Sequence, residues 1–227
     1  MSKKIQNQEE IAVNEVVSKT EKWFEENGKK VIITLVALII LFAGGYAYKY
    51  LVMDKNETAA AELIVAAQEH LKGENPNYEL ALNGNESGAG FLEVIEQYGS
   101  TDAGNIAKHY AGICYLRLGD LGNAAKYLEE YDAVGGSVIC GIINAQNLGL
   151  QGDVAVEKKE YEKAADLFEE AVEESENNYT APYYLYKQAL ALVAAGKNAE
   201  AKACCQTLIE KYPNSMEKSA AEKLLGL

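Results

Sequence analysis

Eighteen consecutive residues, Val31 to Tyr48, carry no charge, and Tyr50-Leu-Val-Met53 continues the apolar character past Lys49. At about 1.5 Å per residue the uncharged stretch makes a helix of roughly 27 Å, close to the ~30 Å hydrocarbon core of a bilayer. Trp23 and Phe24 precede it, and Tyr46, Tyr48 and Tyr50 close it, as interfacial aromatic anchors do. Lys49 reaches the headgroups by snorkelling. The pattern predicts a transmembrane helix over 31–53. A cleaved signal peptide fits less well, because the leader is about thirty residues long, is rich in Glu, and is followed by no small-residue cleavage site.

Beyond the apolar run the polar and apolar positions take helical spacing, and one short pattern returns three times. It reads Gly119-Asp-Leu-Gly-Asn-Ala124, Lys159-Glu-Tyr-Glu-Lys-Ala164 and Gly196-Lys-Asn-Ala-Glu-Ala201. Each copy has a turn residue, an Ala five positions on, and Leu128, Phe168 or Cys205 four beyond that. Gly112, Gly152 and Ala189 stand seven before each turn residue, so small residues on both sides of every turn allow two helices to approach closely. The chain is therefore expected to be all-α, built of helical hairpins behind one transmembrane helix. Tyr98-Gly-Ser-Thr and Tyr212-Pro-Asn-Ser align at one offset, so Met216–Gly226 reads as a lone capping helix. Ahead of the full copies, 54–104 reads as a degenerate hairpin of helices Thr58–Leu71 and Gly88–Tyr98. The Asn/Gly-rich connection between them, Gly73–Ser87, reads equally as a functional loop or as an insertion without a role.

These residues resemble the tetratricopeptide repeat (TPR), a 34-residue helix–turn–helix unit. On that frame the units are 105–138, 145–178 and 182–215, and the resemblance implies an α-solenoid that binds proteins along its first helices. Carried over by position, the groove residues are Ile106, His109, Ile113, Leu116 and Arg117 in the first unit. In the third they are Tyr183, Tyr186, Leu190, Val193 and Ala194, with Lys187 beside them. These positions are mostly apolar and aromatic, unlike the Lys/Asn clamp of carboxylate-binding TPRs. Tyr183 and Tyr186 read either as rigid anchors for a bound segment or as packing between repeats. The layout as a whole resembles the YfgM-like group of bacterial inner-membrane TPR proteins. That resemblance implies work with the Sec translocon or periplasmic chaperones, and the alternative is a structural scaffold of an envelope assembly complex. The long Gly73–Ser87 connection and the lack of Pro after the first two units depart from the pattern.

Charge refines the picture. Lys19, Lys22, Lys29 and Lys30 lie before the apolar run, against Lys49 and Lys55 after it, so segment 1–30 is expected in the cytoplasm and the large domain in the periplasm. Within residues 9–27, Ile11, Val16, Val17, Thr20 and Phe24 share a helical face suited to the membrane surface or a partner, a solvated tail being the alternative. Lys+Arg total 21 against Asp+Glu 34, and residues 51–227 alone hold 14 basic and 28 acidic groups. So acidic a surface repels phosphate backbones, which excludes nucleic acid as a natural partner.

Catalytic signals are missing. Neither His70 nor His109 has a partner at ligand spacing, and no H-E-x-x-H, G-x-S-x-G or phosphate-loop motif occurs. Cys114 and Cys205 read as small buried hydrophobes, and no C-x-x-C is present. Sequons at Asn56, Asn85 and Asn178 arise readily by chance. No metal, no cofactor and no enzymatic activity are expected; the protein reads as an interaction module.

Overall fold

The computed structural model describes residues 2–226, and the side chains of 2–17, 19 and 24 lie outside that description. The proposed shared face of Ile11, Val16, Val17 and Phe24, and the anchor role of Phe24, therefore fall outside the described side chains. The chain divides into two compact units, Met1–Lys55 and Asn56–Leu227.

The first unit is one helix, α1 (Ser2–Tyr48), followed by a π-helical turn, Lys49–Met53. No Pro interrupts it, and Gly44 and Gly45 have nothing near them, so the backbone continues without a break. The apolar stretch lies within a helical run long and apolar enough to cross a membrane, and none of it is buried. Ile39, Leu41 and Phe42 are 65%, 70% and 76% exposed, a state that water penalises and lipid does not. The helix has no boundary at residue 31. What begins there is the absence of charge.

Helix α2 (Asp54–Glu69) runs on into the second unit and starts four residues before the expected Thr58, because nothing between Met53 and Thr58 breaks a helix. The Gly73–Ser87 connection is not a plain loop, because it holds α3 (Tyr78–Asn83) and the first strand of a two-stranded antiparallel ladder, β1 (Gly84–Asn85) with β2 (Gly88–Ala89). Asn77 caps α3 by accepting from the Leu80 amide at 3.0 Å. A Cβ on Gly90 would lie 2.2 Å from the Leu82 carbonyl, so only glycine lets the ladder close over Ala81 and Leu82, which are buried. Helix α4 (Phe91–Tyr98) consequently begins at Phe91 and not at Gly88.

Three hairpins and a final helix follow: α5 (Asp102–Leu118) with α6 (Leu121–Glu129), α7 (Val138–Glu157) with α8 (Tyr161–Glu174), α9 (Thr180–Ala194) with α10 (Asn198–Lys211), and α11 (Lys218–Leu224). Each helix packs against the next. The three turn residues Gly119, Lys159 and Gly196 all lie in the left-handed region, with φ of 81°, 63° and 79°. Helix closeness has the expected cause: a Cβ on Gly112 would meet Leu128 at 2.5 Å, and one on Gly152 would meet the Phe168 ring at 2.6 Å. Helix α7 begins at Val138, seven residues before the frame's Ala145, because Ser137 caps it through the Cys140 amide at 3.2 Å and no Pro delays it.

The unit holds two large apolar cores. One gathers α2 to α5 around Phe91, Val94 and Ala107; the other gathers α7 to α11 around Phe168, Leu192 and Leu208. Only a small cluster of Ala124, Leu128 and Val154 lies between them.

Candidate functional site

The first helices of the three hairpins, α5, α7 and α9, line two adjoining clefts. The larger, about 560 Å³, is bordered by Ile113, Leu116 and Arg117 of α5 and by Leu150, Asp153 and Val156 of α7. The smaller, about 160 Å³, is bordered by Asp153, Val156, Phe168, Lys187, Leu190 and Ala194. Asp153 and Val156 belong to both, so the two clefts adjoin along α7.

Lys187 organises the smaller cleft. Its ammonium pairs with the Asp153 carboxylate and lies 5.2 Å from the Phe168 ring centroid and 4.9 Å from that of Tyr183. Tyr183 is 44% exposed and meets Tyr184 edge-on at 5.1 Å. Tyr184 itself is buried against Gly149, where a Cβ would lie 2.2 Å from the ring, and burial pushes its hydroxyl pKa up. Leu190, 43% exposed, presents an apolar surface one helical turn beyond Lys187.

The structure thus gathers Ile113, Arg117, Lys187 and Leu190 at the clefts and leaves Tyr183 exposed beside them. Tyr186 packs, partly buried, against the core of α7 to α11, and Ile106 against that of α2 to α5.

His109, expected in the groove, lies apart from the clefts. It is 2% exposed and so does not line an open groove. Its Nδ1 lies 3.2 Å from the Asn147 amide nitrogen, and its ring sits 5.7 Å from Tyr131. Burial holds its pKa down at about 4, opposed in part by the Gln146 side chain. The physical reason is a polar seam that helical spacing on α5 alone does not reveal. Gln151 donates to the Asn147 carbonyl oxygen at 2.8 Å. Asn144 accepts from the Tyr131 hydroxyl at 2.8 Å and from the Val134 amide at 3.1 Å, and donates to the Glu174 carboxylate at 2.7 Å. Asn105 is bonded twice to the Asp132 backbone. A signal was available: Asn144, Asn147 and Gln151 recur at i, i+3 and i+7 and so share one face of α7.

Asp153, Leu150 and Val156 are cleft residues that the carry-over to the first and third units leaves unnamed. On the 145–178 frame Asp153 and Val156 hold the positions of Ile113 and Leu116, so their signal is the frame itself. Asp153 and Lys187 stand 34 apart, and ion pairs Lys163–Glu129, Lys197–Glu162 and Lys211–Glu176 join residues 34 or 35 apart. These pairs join successive hairpins but not equivalent positions, since the turn residues themselves stand 40 and 37 apart.

The remaining chemistry is sparse. Burial pushes the Cys114 thiol up to about 12 and the Cys204 thiol to about 11, so both stay protonated at neutral pH. Among the described residues no group of His, Cys, Asp and Glu is arranged to hold a metal.

Comparison with curated proteins returns no match. Residues 183–215, which run from the first turn of α9 through α10 to Ser215, match the family model of the tetratricopeptide repeat.

Proposed function

We propose that this chain is a membrane-anchored protein–protein interaction module that grips an apolar or aromatic segment of a partner in the clefts along α5, α7 and α9. The observation that carries the reading is the pair of adjoining clefts on the first helices, the larger of mixed polarity and the smaller largely apolar, the third of these helices lying in the segment that matches the repeat model. Leu150, Val156 and Leu190 supply apolar area, Tyr183 a rigid aromatic edge, and Arg117 and Lys187 fix the polarity of what binds. The role is binding, not catalysis. The anchor is the helix through 31–53, with Trp23, Phe24, Tyr46, Tyr48 and Tyr50 at its two interfaces. On the positive-inside argument, the N-terminus lies in the cytoplasm of a bacterium and the hairpin unit in the periplasm. There it assists emerging secretory proteins beside the Sec translocon or a periplasmic chaperone, as the YfgM-like resemblance implies.

Photo-crosslinkers placed at Leu150 and Leu190 in intact membranes test this. Many unfolded secretory chains in the adducts support the chaperone-assisting role. One folded envelope protein points to a scaffold instead. Adduct patterns unchanged by Tyr183→Ala with Leu190→Ala would remove the groove from the account.

A further inference from the structure

A chain of hydrogen bonds and ion pairs traces one edge of the hairpin unit. It begins at Glu57, whose carboxylate oxygens accept from the Asp102 and Ala103 amides at 2.7 and 2.9 Å, at the N-terminus of α5. It continues through Asn105 to Asp132 in the α6–α7 loop, then through Val134 and Asn144 to Glu174 at the end of α8. Glu176 carries it to Lys211 at the end of α10. Large apolar side chains stand exposed along this edge: Val138 at 77%, Ile139 at 69%, Tyr179 at 88% and Met216 at 93%. The opposite edge holds the three hairpin turns, where Asp120, Lys158, Lys159 and Glu160 are exposed and Leu118, 44% exposed, is the large apolar group. The asymmetry is chemical, and it has a direction.

The polypeptide enters the unit on the apolar edge. Glu57 is four residues past Met53, where the apolar run ends, and four residues span at most about 14 Å even when fully extended.

We propose that this edge is a lipid-contacting surface: Val138, Ile139, Tyr179 and Met216 enter the membrane interface and lay the hairpin unit against the bilayer. A tyrosine with branched and unbranched aliphatics is the composition that partitions at the level of the headgroups. The unit is acidic, so the attraction is apolar and not electrostatic. Glu130, Asp132, Glu173, Glu174, Glu176 and Glu217 share the edge, and of these Glu174 is engaged by Asn144 and Glu176 by Lys211. Interfacial seating would hold the clefts of α5, α7 and α9 at a fixed height above the membrane, where a segment leaving it passes.

The proposal rests on the membrane-span reading, and one experiment separates them. The full chain carrying Trp23→Phe is reconstituted into phosphatidylcholine vesicles with ordinary or brominated acyl chains. A single tryptophan is placed by Tyr46→Trp, Tyr179→Trp, Met216→Trp or Lys159→Trp. The expected result is a blue-shifted emission and loss of intensity in brominated lipid for Tyr179→Trp and Met216→Trp, as for the Tyr46→Trp reference, with Lys159→Trp unaffected. Flotation with quenching of Tyr46→Trp alone overturns this proposal and keeps the span. Protein that fails to float overturns both.

Discussion

Lys159 occupies a conformation that its two counterparts assign to glycine. Its φ of 63° places a Cβ against the following carbonyl, at a cost of about 1 kcal/mol that Gly119 and Gly196 do not incur. Lys159→Gly is expected to stabilise the protein by roughly 0.5–1 kcal/mol, part of the gain being offset by a freer unfolded chain. Gly119→Ala is expected to destabilise it by about 1 kcal/mol, and both changes can be read in thermal melts of the detergent-solubilised protein. His109 gives a second residue-scale expectation. Its folded pKa of about 4 lies below the 6.5 of a free imidazole, so the unfolded chain binds the extra proton first as pH falls. Its contribution to stability is complete above pH 6.5 and is lost on the way to pH 4, at up to about 1.4 kcal/mol per pH unit. His109→Gln removes that titration. The difference between wild-type and variant denaturation midpoints should therefore narrow between pH 6.5 and 4, and a constant difference would contradict the burial argument.

At the scale of elements, turns and close approaches were the legible part. A glycine or its stand-in at 119, 159 and 196, small residues seven before and five after, and a bulky residue four further on dictate a hairpin by sterics alone. Gly152→Ala drives a methyl group into the Phe168 ring and is expected to cost about 1–3 kcal/mol by overpacking. Combining it with Phe168→Leu should recover part of that loss, since the two sites share one contact, and simple additivity in a double-mutant cycle would argue against it. Less was legible where long-range contact decided the outcome. The segment from Gly73 to Ser87 has a loop's composition, yet Asn77 starts a helix there, and the closeness of Gly84 and Gly90 makes a ladder. Nor could the face of His109 be assigned from α5 by itself, because the partner that buries it, Asn147, lies 38 residues on. The cleft residues Ile113, Arg117, Lys187 and Leu190 were found because their faces follow from the turn register. Asp153 holds the position of Ile113 in the second unit, and what the frame alone does not show is its pairing with Lys187 of the next hairpin.

For the whole molecule the telling arrangement is two apolar cores joined across hydrogen-bonded side chains. Asn144 makes bonds to Tyr131, Val134 and Glu174, and truncating it leaves several partners unsatisfied. Asn144→Ala is expected to cost about 2–3 kcal/mol or more. Amide exchange should then rise first across 130–137 and the start of α7, while α9 and α10 keep their protection. Equal loss of protection everywhere would show that the joint is no weaker than the cores. The same joint sets how the molecule responds to force. The joint holds a small apolar cluster, Ala124, Leu128 and Val154, and so takes less work to open than either large core. A partner tugging on α9 while the apolar helix is held in a bilayer would part the segment between α5 and α7 first. The protein would then extend by a defined step there, with its grip still folded.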